Sequence, residues 1–138
     1  YDQDFRFGAE DPKQALLLIR LLEGTACGDR WEGSRHFDAH AYRTEDEEGV
    51  WDFAAGCMRT YLILKEKAKQ FNEDAEIQGL LSEIQPKDAE LEALISSYSA
   101  DKASKLRGRD FAPDQIAAKG HAYEKLDQLT IEVLLGVR

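Results

Sequence analysis

Along most of this chain apolar residues recur every three to four positions, the period of an amphipathic α-helix. The first such stretch runs from Pro12 to Glu23, with Asp11 as N-cap, Pro12 at N1 and Gly24 placed to stop it in the left-handed conformation. Its apolar residues Ala15, Leu16, Leu17, Leu18, Ile19, Leu21 and Leu22 cover more than one face, so this helix calls for burial on two sides. The longest stretch carries Val50, Ala54, Cys57, Tyr61, Leu64, Ala68 and Phe71 at alternating spacings of four and three. That is one stripe over about six turns, the expected spine of the domain. Trp51, Phe53, Met58 and Leu62 widen it. Thr44 and Glu47 read as a capping box at its start, with the acidic residues Glu45 to Glu48 at the positive helix end.

Shorter helical stretches follow, from Ala75 to Gln85, Lys87 to Tyr98, Ala100 to Arg107, Pro113 to Lys119 and His121 to Leu135. Pro86, Gly108 and Gly120 punctuate them. The last carries Ala122, Tyr123, Leu126, Leu129, Val133 and Leu134 as its stripe. One segment breaks the pattern. Arg35 to Tyr42 alternates with a period of two, which predicts a short strand with His36, Asp38 and His40 on one face. The chain therefore reads as mainly α, with at most one or two short strands, in a single domain over residues 1–138.

Composition narrows the function classes. The 138 residues suit one domain, and 43% hydrophobic residues are too many for a disordered chain. Eighteen basic against 27 acidic side chains leave a net charge of −9, which argues against nucleic acid or an anionic membrane as partner. The longest apolar run, Ala15 to Ile19, falls far short of the roughly 20 residues a membrane span needs. No basic region followed by an apolar stretch opens the chain, so no secretory signal is expected and a cytoplasmic location is. Cys27 and Cys57 are then expected as reduced thiols, Cys57 as a small buried hydrophobe within the stripe. The doubly apolar helix at Pro12 predicts a homo-oligomer.

Two constellations could carry chemistry. Asp2 and Asp4, two apart in an extended segment with Arg6 next in the row, offer the paired carboxylates that Mg²⁺ and Mn²⁺ prefer. The same spacing also suits solvated surface residues. His36, Asp38 and His40 put three potential ligands on one strand face. Asp38 could equally pair with Arg35 or Arg43, leaving the histidines packed or exposed. His121, alone after Gly120, reads as a capping or surface residue. Dinucleotide, P-loop, zincin, C-x-x-C and serine-elbow motifs are absent. Acidic oxygen ligands and a divalent metal are the best physical candidates.

These residues also fall into a familiar order. YDQDFRFG, then RHFDAHAYRTEDEEGVWDFAAGCMRTYLILKEKA, then YEKLDQLTIEVLLG together resemble the C-terminal part of bacterial xylose isomerases, especially the actinobacterial type. The resemblance implies the helical C-terminal part of a (β/α)₈ protein whose arm embraces a neighbouring subunit. With 138 residues the chain is too short for a complete barrel, which takes about 250. It further implies divalent metals (Mg²⁺ or Mn²⁺, with Co²⁺ possible) and a hydride shift between C1 and C2 of an open-chain aldose, D-xylose becoming D-xylulose. Asp2 and Asp4 match the aspartates that bind the second metal. Asp38 matches a ligand of the first metal that also holds sugar hydroxyls. His40 stands where many members have Lys. The family's other ligands and its catalytic His and Lys precede the first of these motifs, so catalytic residues stay unassigned here. Two readings result: a metal-dependent aldose–ketose isomerase, or an inactive relative serving as an oligomerisation or structural helical module.

Overall fold

The computed structural model describes residues 5–24, 30–85, 88–110 and 112–138. Among the described residues, seven helices account for the regular structure: α1 (Pro12–Leu22), α2 (Glu47–Glu73), α3 (Ala75–Ile84), α4 (Ala89–Ile95), α5 (Ala100–Arg107), α6 (Pro113–Ala117) and α7 (Gly120–Leu135). No strand occurs among the described residues. The expectation of a mainly α chain with at most one or two short strands therefore holds.

Local chemistry accounts for most helix ends. The Asp11 carboxylate accepts the Gln14 N–H at 2.9 Å, and Gly24 takes φ +74° beyond the last turn of α1. Asp74 serves two helices, since its N–H bonds the Gln70 carbonyl at the end of α2. Its carboxylate meanwhile accepts the N–H groups of Glu76 and Ile77 at the start of α3. Gly136 closes α7 at φ +75°. The start of α2 differs from the sequence expectation. Arg43 and Thr44 form a turn closed by the Glu45 N–H on the Tyr42 carbonyl, and Asp46 caps the helix by accepting the Gly49 N–H at 2.9 Å. With Arg43 and Thr44 taken up in that turn, the helix starts later than the sequence suggests and the cap falls to Asp46.

The core forms where α1, α2, α3 and α7 meet. Leu16 and Ile19 of α1, Leu64, Ala68 and Phe71 of α2, Ile77 of α3, and Leu129 and Val133 of α7 make one buried cluster. The stripe of α2 is buried from Cys57 to Phe71, whereas its N-terminal members Val50 and Ala54 are exposed. Arg138 ties the chain end to the core, pairing with Asp74 at 2.6 Å, Glu132 at 2.8 Å, and Glu76. Helices α4, α5 and α6 bury no residue, and the Arg109 pair with Asp88 fastens the end of α5 back to the start of α4.

The second apolar faces find no partner among the described residues. Leu17, Leu18 and Leu21 of α1 and Trp51, Met58 and Leu62 of α2 are exposed. Exposed apolar surface of this kind favours association. Sedimentation at micromolar concentration is expected to find a dimer or larger species. A compact monomer that binds no hydrophobic dye would contradict this.

Candidate functional site

The candidate site lies on the segment between α1 and α2. From Arg35 to Tyr42 exposure alternates at every residue, with His36, Asp38 and His40 outward and Arg35, Phe37 and Ala39 half-buried. The period-two reading of the side chains is thus correct, but the segment is a lone extended run and not a strand. It has no neighbouring strand to pair with among the described residues, so a ladder cannot form.

Asp38 and His36 line an open cleft of about 1240 Å³, together with Phe5, Arg6, Trp31 and the flank of α1 at Gln14 and Leu18. Asp38 makes no hydrogen bond or ion pair among the described residues, and neither Arg35 nor Arg43 takes the partner role that the sequence offered. Arg35 turns inward instead. The three outward side chains do not converge on one point, and no group of three potential metal ligands gathers among the described residues. Same-face residues of an extended chain sit roughly 6.5 Å apart, while metal–oxygen bonds are about 2.0–2.6 Å. The His40 imidazole also engages the backbone of the next residue, with Nδ1 2.9 Å from the Ala41 carbonyl. Asp2 and Asp4 lie outside the described residues, as does Cys27. Cys57 is buried and its sulfur accepts the Phe7 N–H at 3.5 Å, which fits a structural thiol. His121 is exposed in the first turn of α7.

Arg35 and Tyr61, which also line the cleft, belong to a charged network that no sequence motif announced. The Tyr61 hydroxyl donates to Glu23 Oε1 at 2.5 Å and accepts from Arg35 Nε at 2.7 Å. Arg35 Nη2 reaches the same Glu23 oxygen at 3.1 Å, and its remaining donors meet the carbonyls of Gly33, Trp31 and Leu22. Lys65 and Arg30 approach the other Glu23 oxygen at 3.0 and 3.4 Å. Burial by itself would raise the Glu23 pKa. The hydrogen bonds from Tyr61 and Lys65 and the charges of Lys65 and Arg35 outweigh it, lowering the value from 4.5 to about 2. Burial and the Glu23 carboxylate together raise the Tyr61 pKa, keeping the phenol protonated to donate. One signal was present in the sequence: a Tyr inside an otherwise apolar stripe needs a partner for its hydroxyl. The aromatic face of Tyr61 completes the anchor, with ring centroids 6.2 Å from both Phe7 and Phe37, which are 5.3 Å from each other.

No family model matches the chain. Compared with curated proteins, it is 51% identical over all 138 residues to the xylose isomerase of Thermus caldophilus, and equally to that of Thermus thermophilus. It spans 35% of the length of each. With the three motifs in order and half of all positions identical from first residue to last, the chain belongs to the xylose isomerase family, as a C-terminal portion of it.

Proposed function

We propose that the chain contributes carboxylates to a divalent-metal and sugar site that converts D-xylose to D-xylulose. Asp38 serves as ligand and as acceptor for sugar hydroxyls, and Asp2 and Asp4 serve as further ligands. The observation that carries this reading is Asp38 itself: exposed in a wide cleft, without a partner among the described residues, on a segment anchored from below. A carboxylate with no protein partner is available for a cation.

Sequence order supports the grouping: Asp4 precedes Phe7 by three residues, and Phe7 packs against Phe37, the neighbour of Asp38. Three carboxylates are the hard oxygen donors that suit Mg²⁺, Mn²⁺ or Co²⁺, but fewer than the six such an ion takes. Water, a second copy, or the part of the relatives' length that this chain does not span must provide the rest. When bound, the cation supplies Lewis-acid polarisation of the sugar oxygens while hydride passes from C2 to C1 and a proton from O2 to O1. The chain's own part is to hold the sugar hydroxyls at Asp38 and to present the cleft wall formed by Phe5, Arg6 and Trp31. In this reading the protein works as a cytoplasmic homo-oligomer.

The test is xylulose formation from D-xylose by the purified chain in Mn²⁺. Turnover is expected to vanish with chelator and to fall at least about 100-fold in Asp38→Ala. The second reading, a structural or oligomerisation module, draws on α4 to α6, which bury nothing within the chain. No turnover by folded protein in saturating Mn²⁺ would favour it.

A further inference from the structure

The extended segment that carries Asp38 keeps its register without a β-ladder. Among the described residues no backbone hydrogen bond joins Arg35 to Ala41 with another segment, yet inward and outward positions alternate without a slip. In a sheet, ladder bonds hold such a pattern, and a slip by one residue sends every side chain to the opposite face. Here a slip would exchange the exposed and half-buried positions, turning Asp38 inward and Phe37 and Ala39 out to solvent.

Two side-chain anchors replace the ladder. The first is Arg35, whose guanidinium is bonded on every nitrogen: Nε to the Tyr61 hydroxyl, Nη1 to the Gly33 carbonyl, Nη2 to Glu23 and the Trp31 carbonyl. The second is Phe37, seated between Phe7 and Tyr61. Tyr61 belongs to both, its ring to one and its hydroxyl to the other. A planar fork engaged in several directions fixes orientation as well as distance, which a lysine ammonium cannot do.

We infer that Arg35, locked by the Tyr61 hydroxyl and Glu23, is a positioning residue that sets the register of the 35–42 segment and so aims Asp38 into the cleft. The inference rests on Asp38 being a ligand, as proposed above, and its test separates the two. Mn²⁺ alone is titrated into the full chain while paramagnetic broadening of the amides of residues 36–40 is followed by NMR. Ring contacts between Phe7 and Phe37 report the register independently of metal. Arg35→Ala and Tyr61→Phe are expected to weaken Mn²⁺ binding about 10-fold and to diminish those ring contacts, with helical circular dichroism retained. Millimolar guanidinium is expected to restore Arg35→Ala and to leave Asp38→Asn unrescued, a result that general loosening of the fold would not produce. If Arg35→Ala does not fold, Tyr61→Phe decides. Folded Tyr61→Phe protein with the same ring contacts and the same Mn²⁺ affinity as the unsubstituted chain would overturn the inference. Equal broadening in Asp38→Asn and unsubstituted protein would instead refute the ligand reading, and the ring contacts would still judge the role of Arg35.

Discussion

Replacing Phe71 by Ala is expected to destabilise the chain by about 3–5 kcal/mol, the range for truncating a fully buried aromatic. Phe71 is 1% exposed, sits at the centre of the cluster formed by α1, α2, α3 and α7, and is among the largest side chains wholly removed from water. Its ring has a second duty. The guanidinium of the buried Arg20 lies 4.1 Å from the ring centroid, while Arg20 Nε donates to the Asn72 side chain at 3.0 Å. Without the ring, that cation keeps its desolvation and loses the π-face beneath it, a contact worth up to about 2 kcal/mol when shielded from solvent. Folded proteins have only about 5–15 kcal/mol in hand, so this single change takes a large share. Thermal unfolding followed by circular dichroism should show a fall of at least about 10 °C, and Phe71→Leu a much smaller one. A midpoint unchanged within about 2 °C would mean that the four helices do not share one core.

Glu23→Gln is expected to cost about 2 kcal/mol at neutral pH, and the cost should disappear in acid. Glu23 bonds Tyr61 and Arg35 through one oxygen and faces Lys65 and Arg30 with the other. Its pKa is about 2 in the folded chain, against the ordinary 4.5. Because the folded value is the lower one, the carboxylate's contribution is fully present above about pH 4.5 and is lost as pH falls through about 2. The exposed side of Lys65 and Arg30 screens part of the interaction, which reduces the gain to about 2 kcal/mol. Hydrogen bonds from Lys125 and then Arg138 lower the Glu76 pKa, and the Ile77 N–H together with Arg138 lowers that of Asp74, so acid weakens the C-terminal clamp as well. The difference between the two proteins isolates Glu23. Urea midpoints measured from pH 7 down to pH 2 should begin to draw together below about pH 4.5 and meet near pH 2. A gap that stays constant over that range would show that the Glu23 charge contributes nothing.

Much of this structure is set by relations within a turn or two, and those were legible in the residues. Asp11, Pro12 and Gly24 bound α1 because capping and φ preference involve only neighbouring backbone. The spacing of Cys57, Tyr61, Leu64, Ala68 and Phe71 identified the buried face of α2, since helical period alone decides which side chains share a side. A period of two likewise put Asp38 on one face with His36 and His40, while the fold decided that this face is the exposed one. Tertiary structure decided the rest. Which of two apolar faces of α1 is buried depends on where α2 and α7 lie, and Leu16 and Ile19 are covered while Leu17 and Leu18 are not. Period two could not distinguish a paired strand from a lone extended run, because pairing requires a second segment. Tyr61 looked like one more member of an apolar stripe until the fold brought Glu23, 38 residues away, and Arg35, 26 away, to its hydroxyl. Periodicity records which way a side chain points on its own element. What it meets there is fixed by the path of the chain between elements, and that path carries no period.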